Sequence, residues 1–295
     1  MPQDVKHPSP NGARSMGLKR LRELVLVEHT LFALFLACLG ILFAGGGRVL
    51  VWVWAAIALI AAHTAGMAFS RLVDADADKR IQRARNSLLP RGELTGGEAR
   101  MLAAGSCAAL VFASYMLNSL CFYLSFAAIA LLLSCSFLRR LGAVSHLYPG
   151  CVEAVAPVGG YLAVTGEFDL MPFVLGAAVM TWITGLDLVR ALPDMESDRG
   201  EGIRSIPVTF GRESALAISS GLYAAALVAL AAGGALAKKG IAYWVAALCV
   251  ALIFFRQQSL ARKEDIAQTS GEIFQINSYI PPVLFIGTFI DVFMG

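Results

Sequence analysis

Two short acidic segments carry the residues of this chain that are best suited to chemistry. Each contains the spacing D-x-x-x-D, once in Asp74 and Asp78 and again in Asp194 and Asp198. On a helix this spacing places two carboxylates on one face, one turn apart. Both segments follow long apolar runs, where carboxylates are costly beside lipid. Acids repeated at equivalent positions of this kind usually mark a functional site.

The four aspartates predict a divalent cation. Four carboxylates around one cavity repel one another unless a cation neutralises them. Oxygen ligands favour Mg²⁺ or Ca²⁺ over Zn²⁺, and Mg²⁺ is commonly held by one or two carboxylates together with substrate phosphates. We therefore predict Asp74, Asp78, Asp194 and Asp198 as catalytic residues and metal ligands that hold Mg²⁺ and a diphosphate. Ordinary ion pairs with neighbouring basic residues are the alternative, but they require no repeated spacing.

Further polar residues surround the two segments. Ser70 precedes Asp74 by one helical turn, and Asp187 and Arg190 are in helical register with Asp194. Nearby arginines can form charge-assisted hydrogen bonds to phosphate oxygens. The candidate substrate-binding residues are Ser70, Arg83, Arg85, Arg139, Arg140, His146, Asp187, Arg190 and Arg204.

The composition predicts a membrane protein. Of the 295 residues, 57% are hydrophobic and 15% charged, and the mean hydropathy is +0.67, well above the values of soluble domains. We expect an all-α bundle of nine transmembrane helices in one domain (16–295), after a disordered tail (1–15), with the acidic loops following spans 2 and 6. The predicted spans are Leu24–Phe43, Val49–Phe69, Ala99–Leu117, Cys121–Leu138, Tyr148–Val164, Leu170–Val189, Ala215–Leu236, Ile241–Phe255 and Ile276–Phe293.

The basic residues predict the orientation. With a cytoplasmic N-terminus, all of the 24 Lys and Arg residues except Arg48, Lys238 and Lys239 fall in cytoplasmic segments or at their borders. This is a strong positive-inside pattern, which places both acidic segments on the cytoplasmic side of a bacterial-type inner membrane. The basic residues border the bilayer and form no soluble patch, so nucleic acid is not an expected partner. A transporter that uses buried acids for cation coupling, or a binding protein with a degraded site, remains an alternative.

The acidic segments resemble the two motifs of the UbiA superfamily of intramembrane prenyltransferases. The first family motif, N-x-x-x-D-x-x-x-D, corresponds to Ser70–Asp78, and the second corresponds to Asp194–Asp198 followed by Gly202–Gly211, which contains S-I-P. Between them, Ala156–Gly166 is similar to the branch that makes quinones. Within that branch, the segment Gly185-Leu-Asp187-Leu is most similar to the menaquinone-type enzymes of the futalosine route.

The resemblance implies an aromatic prenyltransferase, an enzyme that transfers alkyl groups other than methyl. It would move a polyprenyl group from polyprenyl diphosphate to an aromatic acid with Mg²⁺, in quinone and specifically menaquinone biosynthesis. The alternative is 4-hydroxybenzoate prenylation for ubiquinone; another ring such as haem or chlorophyllide is also open. The chain departs from the family pattern at Ser70 (usually Asn), Ala84 (Thr), Ser87 (often Arg) and Arg190 (Tyr). We hypothesise that Arg190 contacts the diphosphate or an acidic acceptor.

Overall fold

The computed structural model describes residues 27–78, 96–138, 142–200, 202–263 and 266–294, and within these ranges all regular secondary structure is helical. The expected tail (1–15) and the candidates Arg83, Arg85, Arg139 and Arg140 lie outside the described residues. The helices are α1 (Val27–Phe43), α2 (Val49–Asp78), α3 (Gly96–Leu117), α4 (Ser119–Leu138), a 3₁₀ helix (Gly142–His146), α5 (Leu147–Thr165), α6 (Leu170–Arg190), α7 (Met195–Gly200), α8 (Ile206–Phe210), α9 (Arg212–Leu236), α10 (Ile241–Ala261), α11 (Ile266–Asn277) and α12 (Ile280–Phe293).

Seven helical segments of the described chain are long and apolar enough to cross a membrane. A bilayer core requires about 20 apolar residues in a helix, and backbone groups inside it must bond within the helix. Two shorter apolar helices, His29–Phe43 and Ser119–Ser134, coincide with the first and fourth predicted spans. The prediction of an all-helical multi-pass protein is therefore confirmed, and nine crossings stay a prediction.

Helices α1 and α5 cross in direct backbone contact. A Cβ atom added to Gly40 would lie 2.0 Å from the carbonyl oxygen of Pro157, and one added to Gly160 would lie 2.0 Å from that of Ala37. Only a hydrogen atom fits at either position. Small residues let helices approach closely inside membranes, where no hydrophobic effect drives them together. The glycine contacts therefore fix α5, and with it the 3₁₀ helix at its start, against α1.

Helix α6 is the central element of the bundle. It packs against α5 on one side and α9 on another, and also contacts α1. Its side chains Trp182, Leu186 and Leu188 are almost fully buried. On the α9 side, the hydroxyl of Ser219 donates to the carbonyl oxygen of Gly185 at 2.7 Å. These contacts make α6 a fixed support for the polar residues near its C-terminal end.

Three contacts show that several helix junctions lie at the same end of the bundle. They are Gly47 against Val164, Asn118 Nδ2 donating to the carbonyl oxygen of Leu162 at 2.8 Å, and Lys239 Nζ donating to that of Leu42 at 3.2 Å. Helices α2 and α6 both begin at this end, so both terminate at the opposite one. We call that opposite end, where α2 reaches Asp78 and α6 reaches Arg190, the motif end. Both acidic segments therefore lie at the same end of the bundle.

The two acidic segments differ in how they join their helices. Helix α2 continues without interruption to Asp78, so Ser70, Asp74 and Asp78 share one helical face, as predicted. Helix α6 instead ends at Arg190, and a separate short helix begins at Met195. The prediction of one continuous face from Asp187 to Asp198 is therefore wrong.

Pro193 explains the end of α6. Proline has no backbone N–H and clashes with the preceding turn of a helix, and it disfavours helical geometry in the residue before it. The last predicted span is interrupted for a related reason. Helix α11 ends at Asn277, and α12 begins at Ile280 with two prolines in its first turn, where a missing N–H removes no hydrogen bond of the helix.

We predict that Gly160→Ala destabilises the fold. The new methyl group would overlap the carbonyl oxygen of Ala37, and overpacking of this kind costs about 1–3 kcal/mol in the free energy of unfolding. The measurement is thermal unfolding of the purified protein in detergent. The control is Gly105→Ala on α3, where an added Cβ meets nothing within 4 Å and alanine favours the helix. Equal unfolding temperatures for the two variants would contradict the close α1–α5 contact.

Candidate functional site

The second acidic motif lies on a single helical turn at the motif end. The backbone N–H of Asp198 donates to the carbonyl oxygen of Asp194 at 2.8 Å, which confirms that the two residues are one turn apart. Asp194 is exposed and Asp198 is half-buried. The hydroxyl of Ser205, itself buried, donates to Oδ2 of Asp198 at 3.2 Å. The loop that carries Ser205 therefore orients one carboxylate of the pair.

A histidine and a third aspartate meet beside this loop. Nδ1 of His146 lies 2.8 Å from Oδ2 of Asp187, and Nε2 of His146 lies 3.4 Å from the backbone nitrogen of Ile206. The sequence predicted His146 and Asp187 as separate substrate-binding residues, and the structure brings them into contact. The structure also adds Ser205 and Ile206 to the site. Both belong to the S-I-P segment, but neither was among the predicted site residues.

The side chain of Arg190, the last residue of α6, extends toward α11. Its guanidinium carbon lies 5.3 Å from the ring centroid of Phe274, a cation–π distance. The Phe274 ring also contacts His29 on α1, with ring centroids 5.9 Å apart. Arg190 itself is exposed, so this contact leaves its donors accessible. The position of Phe274 had no sequence signal, because one aromatic residue in an apolar helix resembles ordinary packing.

A buried polar cluster fixes α11 against α6. Nε1 of Trp182 donates to Oδ1 of Asn277 at 2.9 Å, and Nε2 of Gln257 lies 3.3 Å from the same oxygen. All three side chains are buried. Since Asn277 is the last residue of α11, the cluster sets where α11 ends and how Phe274 is presented to Arg190.

The remaining candidates are more dispersed. Ser70 is half-buried on α2, and Arg204 is exposed next to Ser205. Asp74 and Asp78 lie on the last turns of α2, where only the backbone is described. Among the side chains that are described, no three His, Cys, Asp or Glu residues form a group suited to a metal ion. The second motif by itself thus offers a pair of carboxylates, which is a common protein contribution to Mg²⁺.

The sequence that forms this apolar helical bundle matches a known family. The model of the UbiA prenyltransferase family matches residues 33–279. The chain belongs to the UbiA prenyltransferase family. The family resemblance and the predicted prenyltransferase class are thereby confirmed.

Similar proteins support this membership along nearly the whole chain. A protein of Neisseria meningitidis serogroup B named 4-hydroxybenzoate octaprenyltransferase is 29% identical over 277 residues, covering 94% of this chain and 91% of that protein. The apo structure of a UbiA homologue from Aeropyrum pernix K1 superposes with a TM-score of 0.80 at 28% identity, over 90% of this chain and 98% of that one. A UbiA homologue from Archaeoglobus fulgidus bound to GPP and Mg²⁺ has the same fold, with a TM-score of 0.70 at 17% identity over 92% and 99% of the two chains.

We predict that Asn277→Leu destabilises the UbiA-type bundle at the motif end. Leucine removes the oxygen that pairs with Trp182 and Gln257, and an unpaired buried donor costs about 1–3 kcal/mol in the free energy of unfolding. Thermal unfolding in detergent measures the change. The control is Ser278→Ala at the next residue, whose hydroxyl donates only to the carbonyl oxygen of Gln275 near the surface. An unfolding temperature of Asn277→Leu equal to that of this control would contradict a stabilising role for the cluster.

Proposed function

We propose that this protein transfers a polyprenyl group from a polyprenyl diphosphate to the ring of 4-hydroxybenzoate, with Mg²⁺, in quinone biosynthesis. The observation that carries the proposal is the presence of two D-x-x-x-D segments at the same end of a UbiA-family bundle. The acceptor is proposed from relatives named 4-hydroxybenzoate octaprenyltransferase. These relatives favour 4-hydroxybenzoate over the menaquinone-route acceptor, which the sequence had placed first and which no comparison supports.

The residues of the second motif fit a magnesium ion. Asp194 and Asp198 supply carboxylate oxygens from one helical turn, and Mg²⁺ prefers such ligands combined with substrate phosphates. The solved homologue with GPP and Mg²⁺ supports the same pairing of metal and prenyl diphosphate. In our proposal Asp74 and Asp78 complete the binding site from α2. Mg²⁺ bound there would neutralise negative charge on the diphosphate as it leaves.

Basic residues at the motif end complement the carboxylates. Arg204 is exposed beside Ser205, and its guanidinium can form two parallel hydrogen bonds to phosphate oxygens. We propose the same role for Arg83, Arg85, Arg139 and Arg140, and a positioning role for Ser70 on the face of the first motif. Arg190, with donors accessible above Phe274, is proposed to pair with the carboxylate of the acceptor.

The apolar bundle serves the prenyl chain. A polyprenyl tail is lipid-soluble and its diphosphate is not, so a site at the end of an apolar bundle serves both parts of the substrate. Exclusion of water protects the allylic carbon from hydrolysis until the electron-rich ring attacks it. The C–O bond to the diphosphate breaks, the new C–C bond forms, and the substituted ring carbon then loses its proton. The positive-inside pattern supports placing this end on the cytoplasmic side of the inner membrane.

The proposed activity is tested with purified protein in lipid, a polyprenyl diphosphate, and a panel of aromatic acids that includes 4-hydroxybenzoate. We expect prenylated 4-hydroxybenzoate with Mg²⁺ and no product with EDTA. Product only from an acid of the menaquinone route would replace the proposed acceptor and keep the reaction class. Ion flux in liposomes without any prenyl transfer would overturn the proposal in favour of a transporter.

The same panel tests Arg190. In Arg190→Gln we expect the KM for 4-hydroxybenzoate to rise about tenfold, because a charged hydrogen bond to the acceptor carboxylate is lost. The KM for the prenyl diphosphate should stay near the wild-type value. If only the KM for the prenyl diphosphate rose, Arg190 would instead be assigned to the diphosphate.

We predict that Asp194→Asn and Asp198→Asn each reduce turnover by at least about a hundredfold, since one ligand charge is lost where charge develops in the transition state. Initial rates at several Mg²⁺ concentrations measure the effect. Glu196→Gln is the matched control, because Glu196 lies on the same short helix but out of register with the two aspartates. Near-normal turnover in either aspartate variant would remove that residue from the metal site.

A further inference from the structure

His146 joins three separate parts of the chain. It is the last residue of the 3₁₀ helix, it contacts Asp187 on α6, and it contacts the first residue of α8, Ile206. Its side chain is buried, with the residue only 5% exposed. A side chain so enclosed is poorly placed to touch a substrate, although the sequence predicted substrate binding for His146.

The partners of the imidazole fix the position of its proton. A carboxylate oxygen of Asp187 only accepts hydrogen bonds, so Nδ1 of His146 carries a proton. The backbone N–H of Ile206 only donates, so Nε2 of His146 has a free lone pair. Together these contacts assign the neutral Nδ1–H tautomer, as in sites where a carboxylate orients a histidine.

His146 pairs with a backbone N–H at the start of α8, and Ser205 pairs with a different partner. Ser205 precedes α8 at the N-cap position, where a serine hydroxyl usually accepts a hydrogen bond from the N–H of the second or third helical residue. The second residue here is Pro207, which has no N–H. Here the Ser205 side chain makes no cap hydrogen bond, and its hydroxyl donates to Asp198 instead. Nε2 of His146 accepts from the N–H of Ile206, the first residue of α8, a group that has no partner within the helix.

The loop before α8 is packed tightly against the 3₁₀ helix. A Cβ added to Gly142 would lie 2.8 Å from the carbonyl oxygen of Arg204, and the φ of Gly142 is +62°, a conformation that favours glycine. The 3₁₀ helix therefore contacts both neighbours of Ser205, Arg204 through Gly142 and Ile206 through His146.

We propose that His146 is a positioning residue. Its Nε2 accepts from the first N–H of α8 and so holds the backbone beside Ser205, from which the Ser205 hydroxyl orients Asp198, while its Nδ1 holds Asp187. The inference rests on the proposed function, because Asp198 is assigned there to the diphosphate and Arg190, about one turn after Asp187 on α6, is assigned to the acceptor. His146 thus links the two halves of the site without contacting either substrate.

Two near-isosteric substitutions separate the two contacts of His146. In His146→Asn the amide lies near the Nδ1 position and can still bond Asp187, but nothing accepts from Ile206. In His146→Gln the terminal amide lies near the Nε2 position, so its oxygen can still accept from Ile206 while the bond to Asp187 is lost. Because only His146→Asn should disturb Ser205 and Asp198, only this variant should weaken diphosphate binding.

The first measurement is the Kd of a polyprenyl diphosphate with Mg²⁺, by calorimetry in detergent. We expect an increase of about fivefold to tenfold in His146→Asn, the equivalent of one hydrogen bond, and less than about twofold in His146→Gln. In His146→Gln we expect the KM for 4-hydroxybenzoate to rise instead. Equal diphosphate affinities in the two variants would overturn the proposal.

A coupling test connects His146 to Ser205. If His146 acts through Ser205, adding His146→Asn to Ser205→Ala should weaken diphosphate binding by less than about twofold more, because neighbouring residues in one network are not additive. Independent, multiplying effects would contradict the connection.

A spectroscopic measurement tests the assignment without relying on a variant that folds poorly. Nitrogen-15 NMR of labelled histidine in the wild-type protein should show one of the four histidines as the neutral Nδ1–H tautomer, and His146→Gln assigns that signal by its loss. An Nε2–H tautomer or a charged ring at His146 would overturn the inference. Wild-type protein that binds diphosphate but transfers no prenyl group would overturn the proposed function and leave the capping role supported by the Kd and NMR results.

Discussion

The cost of placing charge beside lipid constrains the whole structure. Charged side chains in a bilayer are costly, so a protein that processes a diphosphate inside a membrane must collect its charges at an interface. Here the described acids of the second motif, Asp194 and Asp198, and the exposed Arg190 and Arg204 lie at one end of an apolar bundle. The helices below them satisfy their own backbone groups, as spanning segments must.

Rigid support for this polar end comes from helix contacts rather than from the polar residues themselves. The backbone contact of Gly40 and Gly160 with α5 and α1 leaves no room for adjustment, so α5 holds the 3₁₀ helix in place. Helix α6 receives support from both α5 and α9. The His146–Asp187 contact then joins two elements whose positions are already fixed. Forming this hydrogen bond therefore costs little additional conformational entropy.

The break at Pro193 has a consequence for the two acidic motifs. The first motif is the continuous end of α2, so its orientation follows from the packing of that helix. The second motif lies on a short separate helix with no buried residues, so its orientation depends on outside contacts. Ser205 supplies one such contact, and the surroundings of Ser205 therefore matter more than those of any residue on α7 itself.

The sequence by itself determined the features that follow from amino-acid composition and from the spacing of residues along the chain. Apolar runs of bilayer length predicted the helices, and the D-x-x-x-D spacing predicted the paired carboxylates, because both depend only on local geometry. The family followed from the same motifs. The acceptor that the sequence placed first was not supported, since differences between related ring acids depend on contacts that local motifs do not encode.

Only the tertiary structure decided which polar residues meet. His146 and Asp187 are 41 residues apart, and His146 and Ile206 are 60 apart, so no spacing rule connects them. The capping of α8 by a histidine from another element depends on how α5, α6 and the loop before α8 pack together. Long-range side-chain contacts of this kind follow from close packing in three dimensions, and local sequence patterns carry no record of them.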